Sequence, residues 1–202
     1  MLHMTTRRLA LLALIVAWAA LLPLAGRRAR ADGGWLDRPL VNWNYAGMPL
    51  PAAPAPDPLA LTDPRCARDQ RPAETAADQA VVAAGWQLFG AYDAGWGVTL
   101  IRALSGYDGM CRPFGYQEFV FADGAFAGTL APEAMNSRFD GALTSASLFA
   151  PGDRLSASFV RYRDTDPLCC PSAISRVEYR LDRTDAGPVL VPLAATTAST
   201  TP

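Results

Sequence analysis

The chain has 202 residues, enough for one domain with extensions. It contains 19 acidic and 18 basic residues, every basic residue is arginine, and the only histidine is His3. We expect His3 to leave with an N-terminal export signal. A mature chain without histidine or lysine cannot form a Ser-His-Asp triad, a Cys-His dyad, a lysine Schiff base or a His-ligated metal site. We therefore expect a protein that is not an enzyme and that holds no cofactor and no metal.

Residues 1–31 have the layout of a secretory signal peptide. Two arginines precede an apolar run over 9–26, and an Ala-Arg-Ala motif then favours cleavage before Asp32. The alternative is an uncleaved membrane anchor, but a spanning helix needs ~20 apolar residues and Pro23 interrupts this run. The general secretory route and the twin-arginine route both stay open.

Removal of residues 1–31 would leave an acidic protein. Thirteen of the 18 basic residues and all 19 acidic residues follow residue 31, so the mature chain carries a net charge of −6. Nucleic acids and anionic membranes attract clustered positive charge, and neither is expected as a partner. We expect an exported protein that is secreted, periplasmic or associated with the cell wall. It would contact a membrane only if the N-terminal segment stayed uncleaved.

Residues 32–62 carry six prolines among alanines and predict an extended, semi-rigid arm. Trp35, Trp43 and Tyr45 lie within it. These side chains could form a docking stripe for a partner. We favour the other interpretation, in which the arm lies back over the domain and buries them, because exposed aromatic side chains are costly.

The domain is expected to cover residues 63–183 and to begin with one helix. Thr75 followed by Asp78 resembles a capping box, and apolar residues then recur at helical spacing, which predicts an amphipathic helix over about 76–89. Beyond it the hydrophobic period changes to two. Strands are predicted at 97–104, around 119–121, and at 126–130, 143–149, 155–162 and 174–181.

This pattern predicts an α+β fold, with one amphipathic helix followed by an antiparallel β-meander of about five strands, stapled by disulfides. Asp123-Gly124 is a hairpin turn signal within the meander. Residues 184–202 end in alanine, threonine and proline, and they are predicted to form a disordered tail.

The four cysteines are Cys66, Cys111, Cys169 and Cys170. In an exported protein they predict two disulfides, with three possible pairings. Adjacent Cα atoms are about 3.8 Å apart, below the ~4.4–6.8 Å of a relaxed disulfide, and an extended chain points adjacent side chains to opposite sides. We therefore expect Cys169 and Cys170 to bond one each to Cys66 and Cys111, in unknown order. The alternative is a redox or metal-responsive site at the adjacent pair.

Four short motifs occur in order along the chain. They are Gly-Tyr-Asp-Gly-Met-Cys-Arg-Pro at 106–113, Tyr-Gln-Glu-Phe-Val-Phe at 116–121, Phe-Ala-Gly-Thr-Leu at 126–130 and Asp-Pro-Leu-Cys-Cys-Pro-Ser at 166–172. With them, residues 63–181 resemble the LppP/LprE-type exported lipoproteins. The resemblance implies a small cell-envelope domain on the outer side of the cytoplasmic membrane, without catalytic residues to carry over. Such lipoproteins end their signal in Leu-Ala-Gly-Cys, whereas Leu24-Ala25-Gly26 is followed here by Arg27, so no lipid anchor is expected.

The function expected from the sequence is a non-enzymatic module that binds an envelope protein, a glycan or a small ligand. Its candidate surface is the loops at 106–116 and 131–142, because loops on a rigid sheet carry function. The candidate contact residues are Tyr107, Asp108, Arg112, Met135, Asn136, Arg138 and Asp140. The alternative is that these residues only shape their loops. A hydrolase that uses two carboxylates, Glu118 and Asp140, is a further alternative.

Overall fold

A computed structural model gives the fold and describes residues 34–55, 64–150 and 152–200. The predicted signal peptide and its cleavage site lie outside these residues. Among the residues described, no helix is both long enough and apolar enough to span a membrane.

The predicted helix exists but is shorter than expected. Helix α1 covers Ala76–Ala83. Its capping box is present as predicted: the Thr75 hydroxyl accepts a hydrogen bond from the Asp78 amide at 3.1 Å, and the Asp78 carboxylate accepts one from the Thr75 amide at 3.1 Å. The expected extension to residue 89 is wrong, because Gly85 adopts φ +92° and turns the chain out of the helix axis.

The strands form two antiparallel sheets. The first sheet contains β1 (Gln87–Leu88), β2 (Asp93–Gly95), β3 (Val98–Tyr107), β4 (Pro113–Ala122) and β5 (Ala125–Thr129). Its order is β1-β3-β4-β5, and β2 pairs with the other half of β3. Asp123 and Gly124 join β4 to β5 with φ values of +50° and +82°, as a type I′ turn requires.

The second sheet contains β6 (Leu143–Phe149), β7 (Arg154–Arg161), β8 (Ala173–Thr184) and β9 (Gly187–Ser199), paired in that order. The predicted α+β class is confirmed, but the predicted number of strands is too low, because the described residues form nine. The strands that the sequence did not indicate are β1, β2 and β9.

Strand β9 overturns the prediction of a disordered tail. It pairs with β8 from Gly187, opposite Thr184, to Ser199, opposite Ala173. The first half of this strand is apolar, and its Leu190 is fully buried. The alanines and threonines that follow it led to the prediction of a disordered tail. The exposed residues 193–199 resemble a polar tail in sequence, but β8 holds them as a strand.

The first sheet is covered on both faces. One face packs on the second sheet and forms the main core, which includes Leu100, Val120, Phe159 and Tyr179. The other face packs under helix α1 and part of residues 34–55, in a smaller core that includes Val81, Trp86, Ile101 and Phe119. Strands β3 and β4 are therefore buried on both sides, so they lack the simple alternation of a half-exposed strand.

Residues 34–55, here called the arm, lie against the domain. The Trp35 ring packs edge-on against Phe159, with ring centroids 5.1 Å apart, and Trp43 lies 6.4 Å from Tyr179. The expectation that the arm lies back over the domain and buries its aromatic side chains holds in part for the two tryptophans, which pack against the main core but are only half-buried. It is wrong for Tyr45, which is 61% exposed.

Asn44 joins the two sheets at one edge. Its side chain is buried and donates hydrogen bonds to the carbonyl oxygens of Thr129 on β5, at 3.2 Å, and Leu190 on β9, at 3.0 Å. Its own side-chain oxygen accepts from the Thr129 amide at 3.0 Å. The arm thus supplies the polar link between the edge strands of both sheets.

Candidate functional site

The turn between β3 and β4 is shaped by two of the predicted contact residues. The Asp108 carboxylate accepts hydrogen bonds from the amides of Met110 at 2.8 Å and Arg112 at 2.9 Å, and the Arg112 guanidinium donates to it at 2.6 Å. Burial acts to raise the pKa of Asp108, but these hydrogen bonds outweigh it and hold the pKa below the ordinary value. Both side chains are therefore engaged in holding the turn.

Three more predicted contact residues are engaged in contacts within the fold. Tyr107 and Met135 are buried, at 4% and 6% exposure. The Met135 backbone pairs with that of Tyr116 on β4. The Asn136 side-chain oxygen accepts a hydrogen bond from the Gly115 amide at 2.7 Å. Met135 and Asn136 therefore hold the loop at 131–142 to β4, and Tyr107 is part of the main core.

Arg138 and Asp140 lie where that loop meets the second sheet. Arg138 donates to the carbonyl oxygens of Leu168 at 3.3 Å and Cys169 at 3.4 Å. Asp140 accepts from Arg161 at 2.9 Å, and the same guanidinium bonds Asp37 of the arm. Among the predicted contact residues, Arg138 is the one that the structure places against the adjacent cysteines.

The two carboxylates of the hydrolase alternative bind different arginines. Glu118 is a buried residue of β4 and accepts from Arg102, opposite it on β3, at 2.6 Å, whereas Asp140 pairs with Arg161. Burial raises the pKa of Glu118 and outweighs the charge and hydrogen bond of Arg102. The structure shows no contact between Glu118 and Asp140.

The disulfides pair differently from our prediction. Cys66 bonds Cys111, with Cα atoms 4.8 Å apart, and Cys169 bonds Cys170, with Cα atoms 3.8 Å apart. The first links the short 3₁₀ helix Pro64–Asp69 to the turn between β3 and β4 and, on the chain-entropy model, stabilises the fold by ~4 kcal/mol. The prediction failed because the adjacent pair ends a turn, closed by the Cys170 amide on Pro167 at 2.9 Å, rather than lying in an extended strand.

Residues 162–172, here called the cysteine loop, connect β7 to β8 and expose both Cys169 and Cys170. Asp166 closes the base of the loop by accepting from the amides of Arg163 at 2.8 Å and Ser172 at 2.9 Å. The Tyr162 hydroxyl donates to the Leu168 carbonyl at 2.9 Å. Together with the Arg138 contacts, these bonds fix the position of the disulfide on the surface.

A groove runs between the arm and the loop that follows β5. It has two adjoining lobes of about 320 and 290 Å³, and Trp43, Pro132 and Glu133 line both. The first lobe is also lined by Met48, Pro51, Ala52, Pro54, Trp86, Gln117, Thr129 and Ala134, and the second by Trp35, Arg38, Pro39, Leu40 and Val41. We call this feature the arm groove.

The sequence predicted the loop at 131–142 as a surface but missed the arm groove and Asn44. The prolines and tryptophans of the arm were visible in the sequence. Nothing there indicated that they would face Pro132 and Glu133 across a groove. Among the residues described, no cluster of three or more histidine, cysteine or acidic side chains could hold a metal ion.

Comparison with known proteins finds a family match for the central segment of the chain. Residues 99–184 match the family model of the LppP/LprE lipoproteins, which confirms the resemblance found in the sequence. The match runs from β3 to the end of β8, and it supports an exported, lipoprotein-type protein of the cell envelope. No curated protein and no solved structure matches the chain.

Proposed function

We propose that this protein is a non-enzymatic binding module of the cell envelope and that the arm groove is its ligand site. The observation that carries the proposal is the pair of adjoining lobes, each of about 300 Å³, with a wall formed by the arm. Concave apolar sites of this size, with a few polar groups, are typical of ligand pockets.

The lining favours an elongated apolar ligand over a glycan. Both lobes are bordered mostly by tryptophan, proline and aliphatic side chains. The indole N–H of Trp43 already donates to the Thr129 carbonyl at 3.0 Å, and that of Trp86 to the Pro51 carbonyl at 2.8 Å. Trp43, which is half-buried, can therefore offer a ring face but no hydrogen bond, and Trp86 forms part of the buried floor. Aromatic-lined grooves of this kind suit extended, proline-rich peptide segments.

The absence of catalysis is part of the proposal. Mature residues would include no histidine and no lysine. The buried carboxylate of Glu118 is paired with Arg102, and Asp140 is paired with Arg161, so each acid is held in its own ion pair. The family of the central segment adds support for an envelope location.

Calorimetric titration of the mature protein tests the groove. The probes are a proline-rich peptide, as an elongated ligand, and anilinonaphthalene sulfonate, as a compact apolar one. We expect saturable binding of the peptide, with the dye as its competitor. Ala134→Trp places a large ring in the first lobe from an exposed position and should weaken binding by at least about tenfold, a change of ~1.4 kcal/mol.

The matched control is Ala91→Trp, which adds the same ring at an exposed position outside the groove. It should leave the affinity unchanged. Equal binding by both variants, or no saturable binding by the folded wild type, contradicts the proposal. Thermal melting of each variant shows whether the protein tested was folded.

A further inference from the structure

The Cys169–Cys170 disulfide does not cross-link the fold. Its two cysteines are consecutive, whereas Cys66 and Cys111 are 45 residues apart. A disulfide stabilises mainly by closing a loop in the unfolded chain, and a bridge between neighbours closes almost none. Opening it therefore leaves the two sheets and their core held by the same contacts as before.

The two disulfides also differ in the surroundings of the thiolate that leaves when each is reduced. Cys66 is 7% exposed and belongs to the main core, so attack on the accessible Cys111 would expel a thiolate into apolar surroundings. Burial of a thiolate without a counter-charge is unfavourable. Cys169 and Cys170 are both exposed, so either sulfur can be attacked and either can leave into water.

The loop at 131–142 brings a positive charge against the cysteine loop, next to this disulfide. The Arg138 guanidinium lies against the carbonyl oxygens of Leu168 and Cys169. Arg138 is held at φ +68°, a left-handed conformation that residues with a Cβ seldom adopt. A cation at this position favours a thiolate over a thiol. The exposed Leu168 offers an apolar contact beside the sulfurs.

We propose that Cys169 and Cys170 form a dithiol–disulfide exchange site that accepts two electrons from a dithiol. One thiolate of the dithiol attacks a sulfur of the Cys169–Cys170 bond. That bond breaks, a mixed disulfide forms, and the released cysteine takes up a proton. The second thiol of the dithiol then attacks the mixed disulfide. The dithiol leaves as a disulfide, and both cysteines are left as thiols. The site is distinct from the arm groove and independent of the proposed ligand.

The test reduces the folded mature protein with dithiothreitol, a small dithiol, and with reduced thioredoxin, a protein dithiol. Free thiols are alkylated and located by tryptic mapping, in which residues 164–176 form one peptide containing both cysteines. We expect two thiols, both on that peptide, while Cys66–Cys111 stays closed and the melting temperature hardly moves. Faster reaction per mole with thioredoxin identifies a protein dithiol as the partner, and equal or slower reaction identifies a small one. Reduction of Cys66–Cys111 first, or reduction only on unfolding, overturns the proposal.

Arg138 serves as a positioning residue, and a separate measurement tests this role. In the reduced protein, the rate of thiol alkylation is followed against pH. Arg138→Gln should move the midpoint of this profile to higher pH, and Arg138→Lys, which keeps the charge, should restore it. Arg180→Gln is the control, because Arg180 is an exposed arginine of β8 that pairs with Asp182. An unchanged midpoint in Arg138→Gln, or an equal shift in the control, removes Arg138 from the site.

Discussion

At the scale of single residues, Asn44 has more consequence than its place in a proline-rich arm suggests. Its amide satisfies backbone groups on β5 and β9 at once, and no backbone pairing joins these edges directly. Gly128 leaves the space for it, since a Cβ at that position would lie 2.3 Å from the Asn44 side chain. The two residues therefore form one unit, in which a small residue on β5 admits a polar one from the arm.

Asn44→Ala should destabilise the protein by ~2–3 kcal/mol, because it leaves buried backbone groups without partners. Gly128→Ala should also destabilise it, through the close contact with Asn44 and a φ of +139°. Removal of the Asn44 side chain relieves that contact, so the double variant should cost less than the sum by about 1 kcal/mol. Urea denaturation measures all three values.

Tyr45→Ala is the control for this cycle, since the exposed Tyr45 ring should be worth under about 0.5 kcal/mol. Strict additivity of Asn44→Ala and Gly128→Ala would show that the two sites are independent.

At the scale of elements, the start of helix α1 depends on one carboxylate. Asp78 accepts hydrogen bonds from Arg71 at 2.6 Å and from the amides of Glu74 and Thr75, each at 3.1 Å. Burial acts to raise the pKa of Asp78, but these partners outweigh it and lower the pKa below the ordinary value. The folded state thus binds a proton at Asp78 less readily than the unfolded chain does.

Asp78→Asn should cost ~2 kcal/mol at pH 7, where the wild-type carboxylate is ionised. The contribution of Asp78 is complete above the pKa of the unfolded chain, about 3.9, and is lost as the pH falls through the lower folded pKa. In urea denaturation, the stability gap between wild type and Asp78→Asn should therefore stay level from pH 7 down to about pH 4 and narrow as the pH falls further. A gap that stays constant contradicts the pKa argument. Asp185→Asn, at an exposed turn, is the matched control.

Local sequence patterns predicted the features that depend on contacts between residues close together in the chain. The Thr75–Asp78 capping box and the Asp123–Gly124 turn were recognisable because each depends on residues a few positions apart. Strands β1 and β2 span only two and three residues, too few to show a period. Strand β9 was missed because its pairing with β8, rather than its own composition, makes it a strand.

At the scale of the whole molecule, β9 closes the second sheet and brings Leu190 into the core. Deletion of residues 187–202 should abolish cooperative thermal unfolding, because it removes every partner of one edge of β8 and exposes the main core. Deletion of 200–202 should shift the melting temperature only slightly. If the longer deletion melts like the wild type, β9 is dispensable, as a disordered tail would be.

The candidate sites show why sequence alone could not supply them. The cysteine pairing depends on the turn at Pro167–Cys170 and on the distance from Cys66 to the β3–β4 turn, and both are properties of the assembled fold. The arm groove requires Trp43 and Pro132, which are 89 positions apart, to line one space. The sequence identified the cysteines and the arm as unusual. Their positions relative to the rest of the chain depend on how the two sheets pack.

Because tryptophans line the arm groove, ligand binding there can be followed by the intrinsic fluorescence of the protein. Of the four tryptophans in the described residues, Trp35, Trp43 and Trp86 line the groove, and Trp96 lies exposed in the turn between β2 and β3. Indole emission moves to shorter wavelength when water leaves its surroundings. An occupant of the groove should therefore shift the ultraviolet emission of Trp35 and Trp43 together, whereas Trp86 is already buried, and no attached label is needed. A Trp96→Phe variant would leave that signal to the groove alone.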